Sequence, residues 1–276
     1  MASVSRPTAA PIKRRRRPDG RPTGGSLRAL AAEVSTLSRA DGSAQLSSGA
    51  TQILAAVHGP SAPRNPSRER SDGAVISVVF RHTAASSTSF AGTSSLGASV
   101  GATSPAYGAS QREVERFLAD ALSATVRTEA YPRTVIEVVV QVIKADGSAV
   151  GVALNAAVLA LLDAGVEMTG LPIATTCLVV PKDGSHGEDG DGYELHLDPC
   201  AEEEAGSQGA AVVLVIDSSS ADGDGILASM SFGTLSLEAF LACMEGAARA
   251  NKAVLAFLRL AIEQKVTREA QTLWSS

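Results

Sequence analysis

The chain has 276 residues, of which 45% are hydrophobic but only 4% aromatic; that length allows one large domain or two small ones, with a core built from Ala, Val, Leu and Ile. No stretch approaches the ~18 apolar residues of a membrane span, because the most apolar one, Gly151 to Val166, is broken by Asn155 and Asp163. The net charge of -5 hides an asymmetry: residues 1–28 carry eight Lys or Arg against Asp19, or +7, which leaves -12 for the remainder.

In chain order, residues 1–25 are rich in Pro, Arg, Gly and Ser without apolar period, and read as a disordered basic arm with order beginning near Leu27. The arm lacks the apolar segment of a secretory signal. Its run Lys13 to Arg17 fits a nuclear address, a phosphate-backbone contact or a solvated tail. Short Val- and Ile-rich runs predict strands at Gln52 to Val57, Ala74 to Phe80, Thr134 to Ile143, Ile173 to Val180, Ala211 to Ile216 and Ile226 to Phe232. Ser110-Gln-Arg-Glu113 is a capping box that opens a helix with the stripe Val114, Phe117, Leu118 and Leu122. A second helix, Val152 to Ala164, is apolar nearly all round and so should be buried, ending at Gly165. The last helix spans about Leu235 to Thr267, with Leu237, Phe240, Leu241, Met244, Ala248, Val254, Leu255, Leu258 and Ile262 as its core stripe.

Two low-complexity insertions, 83–108 and 182–192, read as mobile surface loops, leaving one domain over 26–276. Asp189-Gly-Asp-Gly-Tyr193 mimics a calcium loop, but its register puts Gly187 where the first acidic ligand belongs. Neither the four histidines nor Cys177, Cys200 and Cys243 have metal-site spacing, and the sparse, odd cysteine count suits a reducing compartment. Ala40-Asp-Gly-Ser-Ala44 recurs as Ala145-Asp-Gly-Ser-Ala149, an echo that two related halves or merely two tight turns would produce.

Arg17-Pro-Asp-Gly-Arg21, Leu37-Ser-Arg-Ala-Asp-Gly-Ser-Ala44, Gly49-Ala-Thr51, Ala55-Ala-Val-His-Gly-Pro60, Glu129-Ala-Tyr-Pro-Arg-Thr-Val-Ile136, Lys144-Ala-Asp-Gly147, Leu154-Asn-Ala-Ala157 and Leu162-Asp-Ala-Gly-Val166 share an order and spacing. In these blocks the chain resembles the RNase PH family from about Arg17 to the C-terminal helix. The resemblance implies an α+β fold of two tandem βαβ-type halves with helices packed on the sheets. It also implies one of two roles: phosphorolytic degradation of RNA from its 3′ end, or a place in the ring of the RNA exosome.

Active members of the family place a phosphate-binding Arg just after the second Ala-Asp-Gly, where this chain has Val150. They also carry two Asp residues six apart; here Glu202 to Glu204 can cover the first, and the second falls near Gln208 to Ala210, where no acid stands. A neutral branched side chain neither donates to phosphate nor offsets its charge. The expectation is therefore a non-catalytic ring subunit that supports 3′-to-5′ RNA processing, with no catalytic residue, metal or cofactor assigned.

Arg64, Arg68, Arg70 and Arg112 occupy places where the family has basic residues near RNA, and are the candidate contacts to single-stranded RNA; ordinary loop charge is the alternative. The expected partners are other RNase PH-like exosome subunits in a heteromeric ring, with a homodimer possible for the isolated chain. The expected location is the nucleus and nucleolus, and also the cytoplasm. Two alternatives stand beside this: an active ribonuclease, phosphorolytic or using a metal on Asp198 and Glu202 to Glu204 as a homodimer, and a free RNA-binding module acting through the arm. The bland reading of the three glutamates is a solvated loop.

Overall fold

Alternating small apolar and polar residues pair into two sheets in the computed structural model, which describes residues 17–22, 24–63, 69–82, 110–181, 192–206, 209–219 and 225–275. The first sheet contains β1 (Leu30–Val34), β2 (Gly42–Ser48), β3 (Thr51–Ser61), β4 (Val75–His82) and β5 (Val135–Lys144) in the order β1-β2-β3-β5-β4. Its neighbours are antiparallel except β4 and β5, which run parallel through the crossover helix α1 (Gln111–Ser123). The capping box of α1 forms as its sequence predicts, with Ser110 Oγ accepting from Glu113 N and the Glu113 carboxylate accepting from Ser110 N.

The second sheet holds β6 (Pro172–Pro181), β7 (Tyr193–Leu197), β8 (Ala210–Asp217) and β9 (Ile226–Phe232) in the order β7-β6-β8-β9, antiparallel throughout. The short helix α3 (Ala201–Gly206) joins β7 to β8. Since both of these strands are antiparallel to β6, they run in the same direction with β6 between them. Each half thus contains a βαβ unit, adjacent in the first and split in the second, and the α+β fold with helices packed on the sheets is as expected.

Between the sheets lies α2 (Ala149–Asp163), which packs on β2 and β3 from one side and β6 from the other. Every residue from Ala149 to Leu161 is buried, which its uniformly apolar sequence requires. It ends in a Schellman motif: Val166 N donates to Leu161 O, Gly165 N donates to Leu162 O, and Gly165 takes φ +71°. The polar Asp163 is satisfied there by Ser35 Oγ at 2.6 Å, Ser43 N at 2.7 Å and the Lys265 ammonium.

Four sequence expectations need correction. The strands β1, β2 and β7 escaped the Val/Ile criterion because they are built from Ala, Ser and Gly or hold charged residues; pairing and the burial of Ala44 and Leu46 make them strands. Helix α4 runs Leu237–Ser275, about 58 Å at 1.5 Å per residue. Of its expected stripe, Val254 and Leu258 are buried in the main core and Phe240, Met244, Ala248, Leu255 and Ile262 pack partly buried against the two apolar clusters, while Leu237 and Leu241 are exposed; the small residues Ala239, Cys243, Ala247 and Ala250, which let the helix approach the second sheet closely, are buried as well. The arm expected over 1–25 is ordered from Arg17, whose buried guanidinium is anchored by the second half of the chain; residues 1–16 lie outside the described residues. The glutamates 202–204 form α3 instead of a solvated loop, and Glu203 is buried.

The echoed turns are not equivalent. The first lies against the C-terminal end of α2, where a side chain at Gly42 would overlap the Ala160 carbonyl and the backbone of Ala164. The second forms the amino end of the same helix. One buried helix therefore uses both copies, at opposite ends. The insertions, 83–108 and all of 182–192 but Gly192, lie outside the described residues, as do the acidic part of the calcium-like segment and His186. Among the described residues no helix is long and apolar enough to cross a membrane.

Candidate functional site at the amino end of helix α2

The chain leaves β5 through Ala145-Asp-Gly-Ser148 and enters α2 in one tight turn. Gly147 takes φ +77°, and a Cβ there would overlap the Pro199 carbonyl oxygen, so the segment before α3 can lie directly over the turn only because position 147 is glycine. Ser148 is also left-handed, at φ 53°, and its hydroxyl donates to Pro199 O at 3.0 Å instead of capping the helix. Its N–H donates to Glu204 Oε1 at 2.7 Å. Val150, at the position where the resemblance implies a phosphate-binding arginine in active members, is 2% exposed and belongs to the main core.

Around this turn the carboxylates are already engaged. Asp198 accepts from Arg28 Nη2 at 2.6 Å, Arg28 Nε at 3.0 Å, Arg28 N at 3.1 Å and Ser48 Oγ at 3.0 Å. Burial opposes its ionisation, but the hydrogen bonds and charge of Arg28 hold its carboxyl below the ordinary range. Arg28 also donates to the Gly147 carbonyl at 3.3 Å, tying the amino-terminal segment to the turn. For Arg28 burial disfavours the charge, and the hydrogen bond and charge of Asp198, with the charges of Asp146 and Glu204, more than restore it.

Glu203 receives Arg17 in a two-pronged pair, Nε to Oε1 and Nη2 to Oε2, both at 2.6 Å, with side chains 2% and 4% exposed. Cys200 N donates to Oε2 at 3.0 Å, and His196 Nδ1 lies 3.1 Å from Oε1 without hydrogen-bond alignment. Burial works against this carboxylate too, but His196, Arg17 and the Cys200 N–H lower its pKa far below the usual range. Arg17 and Arg21 further donate to the Leu197 carbonyl at 2.9 and 3.3 Å, and Leu197 N donates to Gly24 O at 2.7 Å. A strap from Arg17 to Arg28 is thereby fastened across β7 and the start of α3.

A divalent cation of the kind family phosphorolysis uses does not fit these acids. Asp198 and Glu203 each carry an arginine on both oxygens, and Glu202 alone of the three glutamates is exposed. Gln208, near the position of the second Asp, lies outside the described residues. Sequence reasoning missed Arg17 and Arg28 as partners, although Arg17 opens the first of the shared blocks, because a carboxylate 170 or more residues away leaves no local signal.

The proposed RNA contacts are not gathered in one place. Arg64 and Arg68 lie outside the described residues. Arg70 precedes β4, is exposed, and pairs with Asp72 at 3.1 Å. Arg112 is exposed in the first turn of α1, beside the carboxyl end of β4, where Glu115 accepts from Phe80 N. The two described arginines thus mark opposite ends of one strand. Arg133, which the sequence reading passed over, joins Arg70 through its N–H to the Arg70 carbonyl and lies 3.5 Å from Glu69.

Comparison with known proteins agrees with this architecture. Residues 26–167 match the RNase PH model, described as the 3′ exoribonuclease family, domain 1. An Arabidopsis thaliana protein named exosome complex exonuclease RRP46 homolog is 30% identical over 265 residues, covering 91% of this chain and 98% of its own. The crystal structure of rice Rrp46 superposes with a TM-score of 0.68 at 28% identity, over 88% of this chain and 98% of that one. An Archaeoglobus fulgidus exosome structure with RNA bound to the active site, at 19% identity, shares the fold with a TM-score of 0.67 over 87% of this chain and 92% of its own. With its two sheets enclosing one buried helix and its shared blocks in place, the chain belongs to the RNase PH family of 3′ exoribonucleases.

Proposed function

We propose that this chain is a ring subunit of the RNA exosome, of the ribosomal RNA-processing protein 46 type, that assembles the core and guides RNA without performing phosphorolysis itself. The observation that carries this reading is the buried Val150 at the turn where inorganic phosphate must be held. Phosphoryl transfer is catalysed by charge placed against the phosphoryl oxygens, and an isopropyl group packed in the core supplies none. The carboxylates on which a hydrolytic alternative depends, Asp198 and Glu203, are neutralised by Arg28 and Arg17. Both observations concern this chain's own residues; the Arabidopsis relative is itself named an exonuclease.

Its partners in this reading are related subunits and single-stranded RNA. β1 and β4 are the edge strands of the first sheet, β7 and β9 those of the second, and Leu260, Val266, Leu273 and Trp274 are exposed on α4. Such surfaces favour assembly, with the homodimer as the form of the isolated chain. Arg64, Arg68, Arg70 and Arg112 contact phosphates without reading bases. The protein acts in the nucleus and nucleolus, and in the cytoplasm.

The test is incubation of the purified chain with 5′-labelled single-stranded RNA, with and without inorganic phosphate and Mg²⁺. Intact RNA under both conditions is the expected result. Phosphate-dependent shortening that releases nucleoside diphosphates would overturn the reading, and affinity purification that recovers no RNase PH-like paralogue would remove its assembly half.

A further inference from the structure

Two of the three cysteines meet where helix α4 lies on the second sheet. Cys177 stands in β6 between Leu197 of β7 and Val212 of β8, and Cys243 lies on the buried face of α4, one turn from Ala239 and one turn from Ala247. These small residues bring the helix main chain close to the strands, as does Gly246, where a Cβ would stand 2.9 Å from Leu195 Cδ2. The Cys177 thiol reaches that main chain, for its Sγ donates to the Cys243 carbonyl at 3.7 Å. A sulfur in contact with the backbone of residue 243 is within reach of that residue's own sulfur, and the two side chains are hydrogen-bonded to each other. Both residues are 0% exposed. The third cysteine, Cys200, stands at the entry to α3 and belongs to neither apolar cluster.

We propose that Cys177 and Cys243 are an intramolecular disulfide site, closed by a peroxide oxidant, and that the bridge latches α4 to the second sheet. The site is independent of the ring role proposed above. The hydrogen bond from the Cys177 thiol favours the thiolate of Cys243 and, together with burial, keeps the proton on Cys177, which makes Cys243 the attacking sulfur. Its thiolate attacks one oxygen of hydrogen peroxide and the O–O bond breaks, leaving a sulfenic acid on Cys243 and a hydroxide that takes up the proton Cys243 released. The Cys177 sulfur then attacks the sulfenic sulfur, the S–S bond forms, and the S–O bond breaks as the departing hydroxide takes the Cys177 proton. Two thiols thus lose two electrons and two protons, and one peroxide becomes two waters. Neither sulfur touches solvent in the closed fold, so oxidation requires local opening of α4 and its rate follows that opening. The bridge joins positions 66 apart in the chain, with β7, α3, β8 and β9 between them, and so restricts the unfolded chain.

The experiment treats the reduced full-length protein with hydrogen peroxide, with and without urea below the unfolding midpoint, then alkylates the remaining thiols in denaturant and maps the peptides without reduction. Wild type is expected to fall from three alkylatable thiols to one, at Cys200, with a peptide joining positions 177 and 243, and urea is expected to speed the change several-fold. The C200S variant should lose both of its thiols without forming intermolecular bridges. Its melting temperature should rise by at least about 5 °C on oxidation and return with dithiothreitol. Mapping of the wild type decides the site even where a serine variant folds poorly. A bridge that includes Cys200, thiols at 177 and 243 that stay alkylatable or pass to sulfinic acid in urea, or a melting temperature that falls on oxidation overturns the proposal. RNA shortening by the wild type would defeat the functional reading alone and leave the disulfide site to be judged by its own map.

Discussion

Replacing Arg17 by Ala should destabilise the protein far more than its place in a basic run implies. The guanidinium makes two 2.6 Å hydrogen bonds to Glu203, and both side chains are almost wholly excluded from water. Removing one partner of such a pair leaves a buried charge uncompensated, at about 3–5 kcal/mol. In a chain of this size that is a fall in melting temperature of roughly 6–20 °C. Arg70 with Asp72 is the internal control: those side chains are 65% and 68% exposed, and R70A should cost less than about 1 kcal/mol. The pH dependence follows from the depressed Glu203 carboxyl. Its folded pKa lies below the unfolded value near 4.5, so its contribution is full above that pH and is lost as the pH falls toward the folded value. The R17A deficit should therefore be largest at neutral pH and shrink as the pH falls through the carboxylate range. Urea denaturation of wild type, R17A, E203L and R17M/E203L measures this, with the double variant less destabilised than the single variants add up to. An R17A cost at the R70A level, or strict additivity, would refute the argument that the strap is held by a buried ion pair.

Three further outcomes follow from the same geometry. G147A combines a left-handed backbone with overlap onto the Pro199 carbonyl and should lose at least about 2 kcal/mol in chemical denaturation. K265M removes a charged donor from Asp163 and should cost about 1.5–3 kcal/mol at neutral pH. Asp163 is depressed and Lys265 raised, so that deficit should fade as pH falls below about 3.8 and as it rises above about 10.5, which melting curves across pH would register. S110A disrupts the capping box of α1 and should cost about 1 kcal/mol, with faster amide exchange confined to the first turn of that helix.

What could be read from residues alone was whatever rests on local rules. Six strands, the buried α2, the capping box and the Gly165 terminus follow from side-chain period and backbone preference within a few residues of one another. The shared blocks, and the Val150 substitution inside one of them, were equally visible. β2 was not legible, because Gly-Ser-Ala-Gln-Leu-Ser-Ser has little intrinsic strand preference and is made a strand by register with β3 and cover from α2. The stripe of α4 was legible in most of its large residues, Val254 and Leu258 above all, but its small members Ala239, Cys243, Ala247 and Ala250 carry too little apolar signal to be singled out, and the second sheet selected them.

Charge pairing shows the division most clearly. The sequence by itself determined that acids cluster at 202–204, that arginines are concentrated up to residue 28, and that valine stands at position 150. Only the tertiary structure decided that Arg17 neutralises Glu203, that Arg28 neutralises Asp198, and that Glu204 turns to the end of α2. The reason is physical: backbone propensity acts over a few residues, whereas Coulombic pairing and desolvation depend on distance in space, and folding brings residues 17 and 203 together across 186 positions of chain.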